Sequence, residues 1–390
     1  MADKTTQASQ DNVTLVVNGK EYGGWKSVRI TAGIERQARD FDLDVTDTWP
    51  GNNNIARRVQ PGDICECWIG ADKVLTGYID ATPISYTGKA FTVGVKGRSK
   101  TADLVDCAAI NTPGQWRGRK LEAIAADLAA TYGVKVLTET DTGAVIADHQ
   151  IQAGESVFES IDRMMRLRYV LSTDNAHGDL VFIEIGSAGR AGTALELGVN
   201  IESGSAGLDY KDVYSQYICK GQRSGNDDQF GDAVAATEEE TDDTSLDSAD
   251  GGSPGGSVEV SASISNRLIN RKRVLVIKQS GQADGGTCKD RVNYEQAHRA
   301  AKALQAEYVV NGWRQQDGKL WLPNQLVRVR DGLIGLDVDM VIAEVSWMLD
   351  KDGQRVQITV GPPEGYVTQA AKQKKRKKSG AAGANWSDVK

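Results

Sequence analysis

The sequence predicts a mainly β, α+β protein: two related antiparallel β-barrel domains combined with a small α+β module. Three observations carry this. Short runs of alternating hydrophobicity, separated by glycine-containing turns, fill residues 13–98. Apolar residues at helical spacing dominate 99–200. A set of strands and turns at 322–361 then repeats the pattern of the meander at 60–98.

Residues 1–12 are polar and read as a flexible N-terminus. The first barrel domain, 13–98, opens with the run Val13-Thr14-Leu15-Val16-Val17 and an Asn18-Gly19 pair, a hairpin turn signal. A strand around Tyr22 to Ile30 follows, and in Phe41-Asp42-Leu43-Asp44-Val45 the apolar residues turn inward and the two acids outward. Pro61-Gly62-Asp63 forms a turn before the strand Ile64-Cys65-Glu66-Cys67-Trp68-Ile69. Strands at 74–79 and 90–95 complete a meander.

In the module, Leu121, Ile124, Ala125 and Leu128 share one helical stripe, and Gly133 is placed as its C-cap. A strand at 134–137 follows. Val157, Phe158, Ile161, Met164, Met165 and Leu167 mark a second helix over 155–168, and two strands, 169–172 and 179–185, flank the turn Asp174-Asn175-Ala176-His177-Gly178. The second barrel domain, 201–365, carries strands near 213–221 and 273–277 and an inserted helix over 288–311. It also holds a stretch without Lys or Arg between Arg223 and Arg267, where acids run from Asp227 to Glu259 around Gly251-Gly252-Ser253-Pro254. Such a composition cannot repay the entropy of ordering, so 224–257 is expected as a disordered acidic surface loop. The chain closes with a flexible tail, 366–390, bearing Lys374, Lys375, Arg376, Lys377 and Lys378.

Aligning the two meanders pairs 64–69 with 326–330, Tyr78-Ile79-Asp80 with Glu344-Val345-Ser346, and 91–97 with 356–361. The match is one of pattern more than of identity. If it reflects a duplication, a cyclic oligomer would hold twice as many β units as subunits. A formal net charge of −7 gives no general affinity for nucleic acid. No apolar run approaches the roughly 20 residues that span a bilayer. The first residues lack the apolar core of a signal peptide, and five scattered cysteines suggest no disulfide framework, so assembly in a cytoplasm is expected.

Several of these features together resemble a known family. They are the hairpin at 13–22, Phe41-Asp42-Leu43-Asp44-Val45, Pro61-Gly62-Asp63, Glu155-Ser156-Val157-Phe158-Glu159 leading into Arg168-Tyr169, and Trp321-Leu322-Pro323-Asn324. In order and spacing, over about 13–365, the chain looks like the baseplate hub proteins of contractile-tailed phages. These are the Mu-type tail hub and late control D group, and the hub segment of type VI secretion spikes is a more distant cousin. None of these motifs is a chemical signature. The resemblance implies a non-enzymatic homotrimer in the virion tail baseplate, assembled in the host cytoplasm. It implies a pseudo-sixfold ring that joins the tail tube protein to the central spike protein, contacts other baseplate proteins, and surrounds a lumen through which DNA passes without specific binding. No cofactor, metal, catalytic residue or membrane insertion is implied.

Competing chemistry is thin. His149, His177 and His298 join no nucleophile elbow and no His-Glu-x-x-His pair, and each is expected at the surface. Cys65 and Cys67 share a strand face without a second pair to complete a zinc site, which suggests small buried hydrophobes. Asp42/Asp44 and Asp337/Asp339 could be paired acids of a cell-wall- or polysaccharide-degrading enzyme, but on alternating strands they read more simply as a wet face. In a hub, such acids in the lumen would repel DNA. The cluster Lys374–Lys378 could contact nucleic acid or a partner, and equally fits a solvated chain end. A monomeric β-rich ligand-binding module is the remaining alternative.

Overall fold

Alternation in β1 (Val13–Val17) buries Val13, Leu15 and Val17, and Asn18 and Gly19 take positive φ to turn the chain into β2 (Lys20–Tyr22). In the structure, a computed structural model, residues 11–46, 59–86, 91–168, 170–224, 257–266, 269–282 and 285–366 are described. The expected strand around Tyr22 is broken at Gly23-Gly24 and resumes as β3 (Ser27–Gly33). β4 (Asp40–Thr46) buries Phe41, Leu43 and Val45 as its alternation requires. Then come β5 (Ile64–Ile69), β6 (Asp72–Ala81), β7 (Ile84–Tyr86) and β8 (Phe91–Ser99).

The middle module contains α1 (Ala102–Asp106), β9 (Gln115–Arg119), α2 (Leu121–Ala130), β10 (Val136–Thr138), β11 (Ile146–Gln150), α3 (Val157–Arg168), β12 (Leu171–Asp174) and β13 (Leu180–Ile183). The predicted stripe of α2 is fully buried, and Gly133 ends the helix with φ +67. Leu121, Ile124, Leu128, Val157, Ile161, Met164 and Phe182 form this module's own core. Two small sheets complete it, β9 with β11 and the three strands β10-β13-β12.

Beyond it lie β14 (Leu195–Glu196), β15 (Ile201–Leu208), β16 (Gln216–Ser224), β17 (Ser257–Ser265), β18 (Val274–Gln282), α4 (Gly285–Lys302), β19 (Leu304–Asn311), β20 (Leu326–Asp331), β21 (Leu336–Asp350) and β22 (Gly353–Gly361). The helix expected over 288–311 stops at Lys302, and 304–311 is strand. Ala306, Tyr308 and Val310 alternate inward there, between β15 and β22. A separate sheet, β17-β16-β18, packs on α4 around Tyr217, Cys219, Ala262, Cys288 and Val292. The acidic stretch falls almost wholly outside the described residues, as does the basic tail.

The terminal regions do not close into two barrels. They join in one open 14-stranded sheet, ordered β15-β19-β22-β21-β3-β4-β8-β6-β5-β1-β2, with β7, β14 and β20 off this path. β21, 15 residues long, explains the difference. β20 covers only its first half, and its second half, 344–349, pairs with β3. The strand edge that barrel closure would need is therefore engaged by the other half of the chain. One apolar core runs through both regions, from Val13 to Val360. Among the described residues no helix is long and apolar enough to cross a membrane.

Candidate functional site

The sheet contains the same five-strand antiparallel unit twice. In the N-terminal copy, β3, β4, β5, β6 and β8 lie in the order β3-β4-β8-β6-β5; in the C-terminal copy β15, β19, β20, β21 and β22 lie in the order β15-β19-β22-β21-β20. Chain order maps onto sheet order identically in both. Register agrees as well. Ile64 opposes Tyr78 as Leu326 opposes Val341, and Leu43 opposes Val95 as Tyr308 opposes Ile358. The equivalent strands β6 and β21 each carry a bulge at the same place, between Ile79 and Ala81 and between Ile342 and Glu344. This superposition places Tyr78-Ile79-Asp80 on Val341-Ile342-Ala343, correcting the sequence alignment by three residues; the match of 64–69 to 326–330 stands.

Side-chain volume is exchanged between the copies. Phe41 lies against Gly97, whose absent Cβ would meet the ring at 2.7 Å; the equivalent pair is Ala306 and Val360. Val28 opposes Leu43, whereas Gly204 opposes Tyr308, whose ring would meet a Cβ at 2.8 Å. Large-with-small replaces medium-with-medium, keeping the interior filled.

The seam joins the first strand of one unit, β3, to the long strand β21 of the other. Trp347 opposes Ile30 and Val345 opposes Ala32, all fully buried, and the Thr31 and Ser346 hydroxyls share a hydrogen bond of 3.1 Å. Next to it, Arg36 Nε donates to Glu344 at 2.6 Å. Arg39 then fastens the sheet to the module. Its backbone N–H and Nε donate to the Asp174 carboxylate at 3.0 and 3.2 Å, Nη1 to the Val74 carbonyl, and Nη2 to the Asp174 carbonyl. Burial pushes the Asp174 carboxyl up, and the Arg39 guanidinium and the Ser99 hydroxyl oppose it.

The counterparts of the seam are unoccupied. Among the described residues, β15 pairs along its length with β19, its start also bridges locally from Ile201 to Leu197, and no other strand lies on its outer edge. Residues 202–207 are exposed. Among the described residues β7 pairs with β8 alone, and Ile84, equivalent to the buried Trp347, is 48% exposed.

The residues singled out for chemistry scatter. Asp42 is paired with Lys96 at 2.5 Å, Asp44 accepts from the Ser27 hydroxyl, Asp337 pairs with Arg328 and Asp339 with Arg190. The Arg190 guanidinium holds Asp339 below the usual carboxylate range. These acids do form the wet face, but basic partners compensate Asp42, Asp337 and Asp339, so they do not amount to a bare acidic strip. Cys65 and Cys67 are buried, and burial pushes the Cys65 thiol up to about 12, which suits neither a nucleophile nor a metal ligand. His177 is exposed as expected. His149 is not: its Nε2 lies 2.8 Å from Ser160 Oγ, and burial, then Arg163, holds the imidazole below its ordinary value. His298 is half-buried and stacked on Tyr294. Among the described residues no cluster of three metal-ligating side chains occurs. Lys374 to Lys378 lie outside the described residues. The sequence reading missed β15, whose Gly, Ser and Ala residues carry no hydrophobic alternation.

The fold thus offers a duplicated sheet with two exposed strand edges, the framework expected of a protein that assembles with others. Comparison with known proteins narrows the class. Residues 12–99 match the model of the Mu phage baseplate assembly protein GpP-like N-terminal domain, 101–184 that of the baseplate hub protein gp44-like second domain, and 285–369 that of the GpP fourth domain. The baseplate hub protein gp44 of Escherichia phage Mu is 32% identical over 375 residues, covering 95% of this chain and 93% of that protein. The crystal structure of a 43 kDa tail protein of prophage MuSo2 from Shewanella oneidensis is similar with a TM-score of 0.77 at 29% identity, covering 92% of this chain and all of that one. A tail protein from Neisseria meningitidis shares the fold, with a TM-score of 0.73 at 19% identity over 92% and 98% of the two chains. The chain belongs to the Mu-type phage baseplate hub family. It is a structural protein of the virion tail baseplate in a contractile, phage-like system, and not an enzyme.

Proposed function

We propose that three copies of this hub form a closed ring of pseudo-sixfold symmetry that connects the tail tube to the central spike and surrounds the DNA channel. The observation that carries this is the duplication: two units of equal strand order and register in one chain give six equivalent units in a trimer. A ring so built presents six similar surfaces on one side and keeps threefold differences elsewhere, which suits an adaptor between components of unequal symmetry. The largest insertion that distinguishes the two units lies in one connection. Residues 34–39 connect β3 to β4, whereas the sheet β17-β16-β18 and α4 are inserted between β15 and β19. The basic tail, Lys374–Lys378, contributes a contact to a partner or to passing DNA. Mass measurement of the native assembly, with imaging of particles face-on, tests the reading. Three copies around a central hole are expected, and a chain that stays monomeric across a concentration series overturns it.

A further inference from the structure

The ring needs a contact between subunits, and the internal seam shows what that contact should be. Within the chain, the first strand of the N-terminal unit (β3) docks on the half of the long strand β21 of the C-terminal unit that β20 leaves free. The equivalent elements left over are β15 and the β6–β7 edge. We infer that β15 of one subunit pairs antiparallel with residues 81–86 of the next, in the register of the internal seam. Transferring the pairs Val345 with Ala32, Trp347 with Ile30 and Leu349 with Val28 through the superposition sets Thr82 opposite Leu208, Ile84 opposite Ala206 and Tyr86 opposite Gly204. This contact rests on the ring reading and adds the surface through which it closes.

Backbone polarity fits. Gly94 N–H donates to the Pro83 carbonyl, so Pro83 faces β8 and the backbone groups of Thr82 and Ile84 point to the open side. Asp209 N–H donates to the Ala303 carbonyl, so by alternation Leu208, Ala206 and Gly204 point outward from β15. Both edges therefore present their donors and acceptors at the residues that the transferred register brings together. Pro83, which has no N–H to give, faces β8, so its missing donor is lost to that ladder and not to the open edge.

The edges also differ in how they are guarded. β2, at the far end of the sheet, has three residues, Lys-Glu-Tyr, short and charged as protected edges are. β15 has eight, Ile-Glu-Ser-Gly-Ser-Ala-Gly-Leu, with no Lys or Pro; its one charge, Glu202, is turned toward Arg355 at 3.9 Å. An unguarded edge of that length is a template for another strand. Its small residues leave room for Ile84, which docking would cover as Trp347 is covered in the seam.

The test is a disulfide placed by the register. Ser85 and Ser205 take the places of Met348 and Arg29, which oppose each other in the seam. They fall between the hydrogen-bonded pairs, where side chains approach most closely. Full-length chain carrying Ser85→Cys and Ser205→Cys, oxidised and run without reductant, should give covalent dimers and trimers, and each single variant none. Ala206→Pro removes an outward N–H without touching the β19 ladder and should convert the trimer to folded monomer, its circular dichroism unchanged. A trimer that fails to cross-link and persists in Ala206→Pro overturns the edge pairing and leaves the hub reading intact. A wild-type chain that is monomeric throughout overturns both.

Discussion

Asp174→Ala probes the latch that holds the α+β module to the sheet. In the native chain the Arg39 side chain is 10% exposed and that of Asp174 fully covered. Truncation removes the two acceptor oxygens that receive the Arg39 backbone N–H and Nε, while Nη1 and Nη2 keep the carbonyls of Val74 and Asp174. The guanidinium cannot release its proton, so it is left as a buried charge with neutral partners only. Breaking one member of a buried pair in this way costs about 3–5 kcal/mol. Arg39→Met in the same background removes the stranded charge and keeps an apolar stem, so the double variant should be no less stable than Asp174→Ala alone, a coupling of about 1–3 kcal/mol. The urea midpoint of the full chain reports the total, and hydrogen exchange at the amides of β12 and β13 reports whether the module loosens from the sheet. The reasoning fails if Asp174→Ala costs under about 1 kcal/mol, or if the two substitutions add without coupling.

Four further outcomes follow from the same geometry. Trp347→Ala empties the centre of the seam and should cost about 3–5 kcal/mol by thermal or urea unfolding, with exchange rising in β3 and β21 together. Gly77→Ala places a Cβ 2.6 Å from Ser99 Cα, backbone that cannot step aside, and should cost about 3 kcal/mol or more. Gly207→Ala, with nothing within 4 Å, should stay within about 0.5 kcal/mol in monomer unfolding. The folded state holds the His149 imidazole below its ordinary value, chiefly by burial, so the unfolded chain binds the proton more readily. Its contribution is complete above the ordinary value near about 6.5 and is lost as pH falls from there through the folded value. Stability measured from pH 7.5 to 5 should therefore drop less steeply in His149→Gln than in the parent.

Local chemistry was legible where one residue or one short pattern decides the structure. Asn18-Gly19 set its hairpin, Phe41-Leu43-Val45 its inward face, Leu121, Ile124 and Leu128 the buried stripe of α2, and Gly133 its end. Residues 304–310 show where such patterns compete. Ala301, Leu304 and Tyr308 keep helical spacing, yet Ala306, Tyr308 and Val310 also alternate, and two waiting strand partners decide for β. The seam was beyond reach for a different reason. Thr31 meets Ser346 across 315 positions, and nothing near either residue specifies that the other exists. Two barrels were a reasonable expectation from two meanders, because closure on the same chain segment is the nearest way to satisfy an edge. The echo between the meanders did hold the relevant information, but in strand order and register, which sequence similarity registers only faintly.

The position of the insertion follows from what surrounds the two equivalent connections. The β3–β4 connection is enclosed: Arg36 is held by Glu344, Gln37 by the Ser172 carbonyl and hydroxyl, and Arg39 by Asp174, so extra residues there would have to displace both the seam and the module. The β15–β19 connection instead carries a sheet, a helix and the acidic stretch, and among its described residues Lys302 reaches back to Glu35 of the β3–β4 connection. If subunits meet through β15 and the β6–β7 edge, this insertion begins one residue past the contact strand, at Asp209, and recurs at every second unit around the ring. Under that reading duplication would supply the sixfold repeat, and the lengthened β15–β19 connection the threefold difference. Under the ring reading, shortening 225–256, which in sequence falls between β16 and β17, should leave the trimer mass unchanged. A shortened chain that no longer assembles would show that the insertion takes part in closing the ring, contrary to this division of labour.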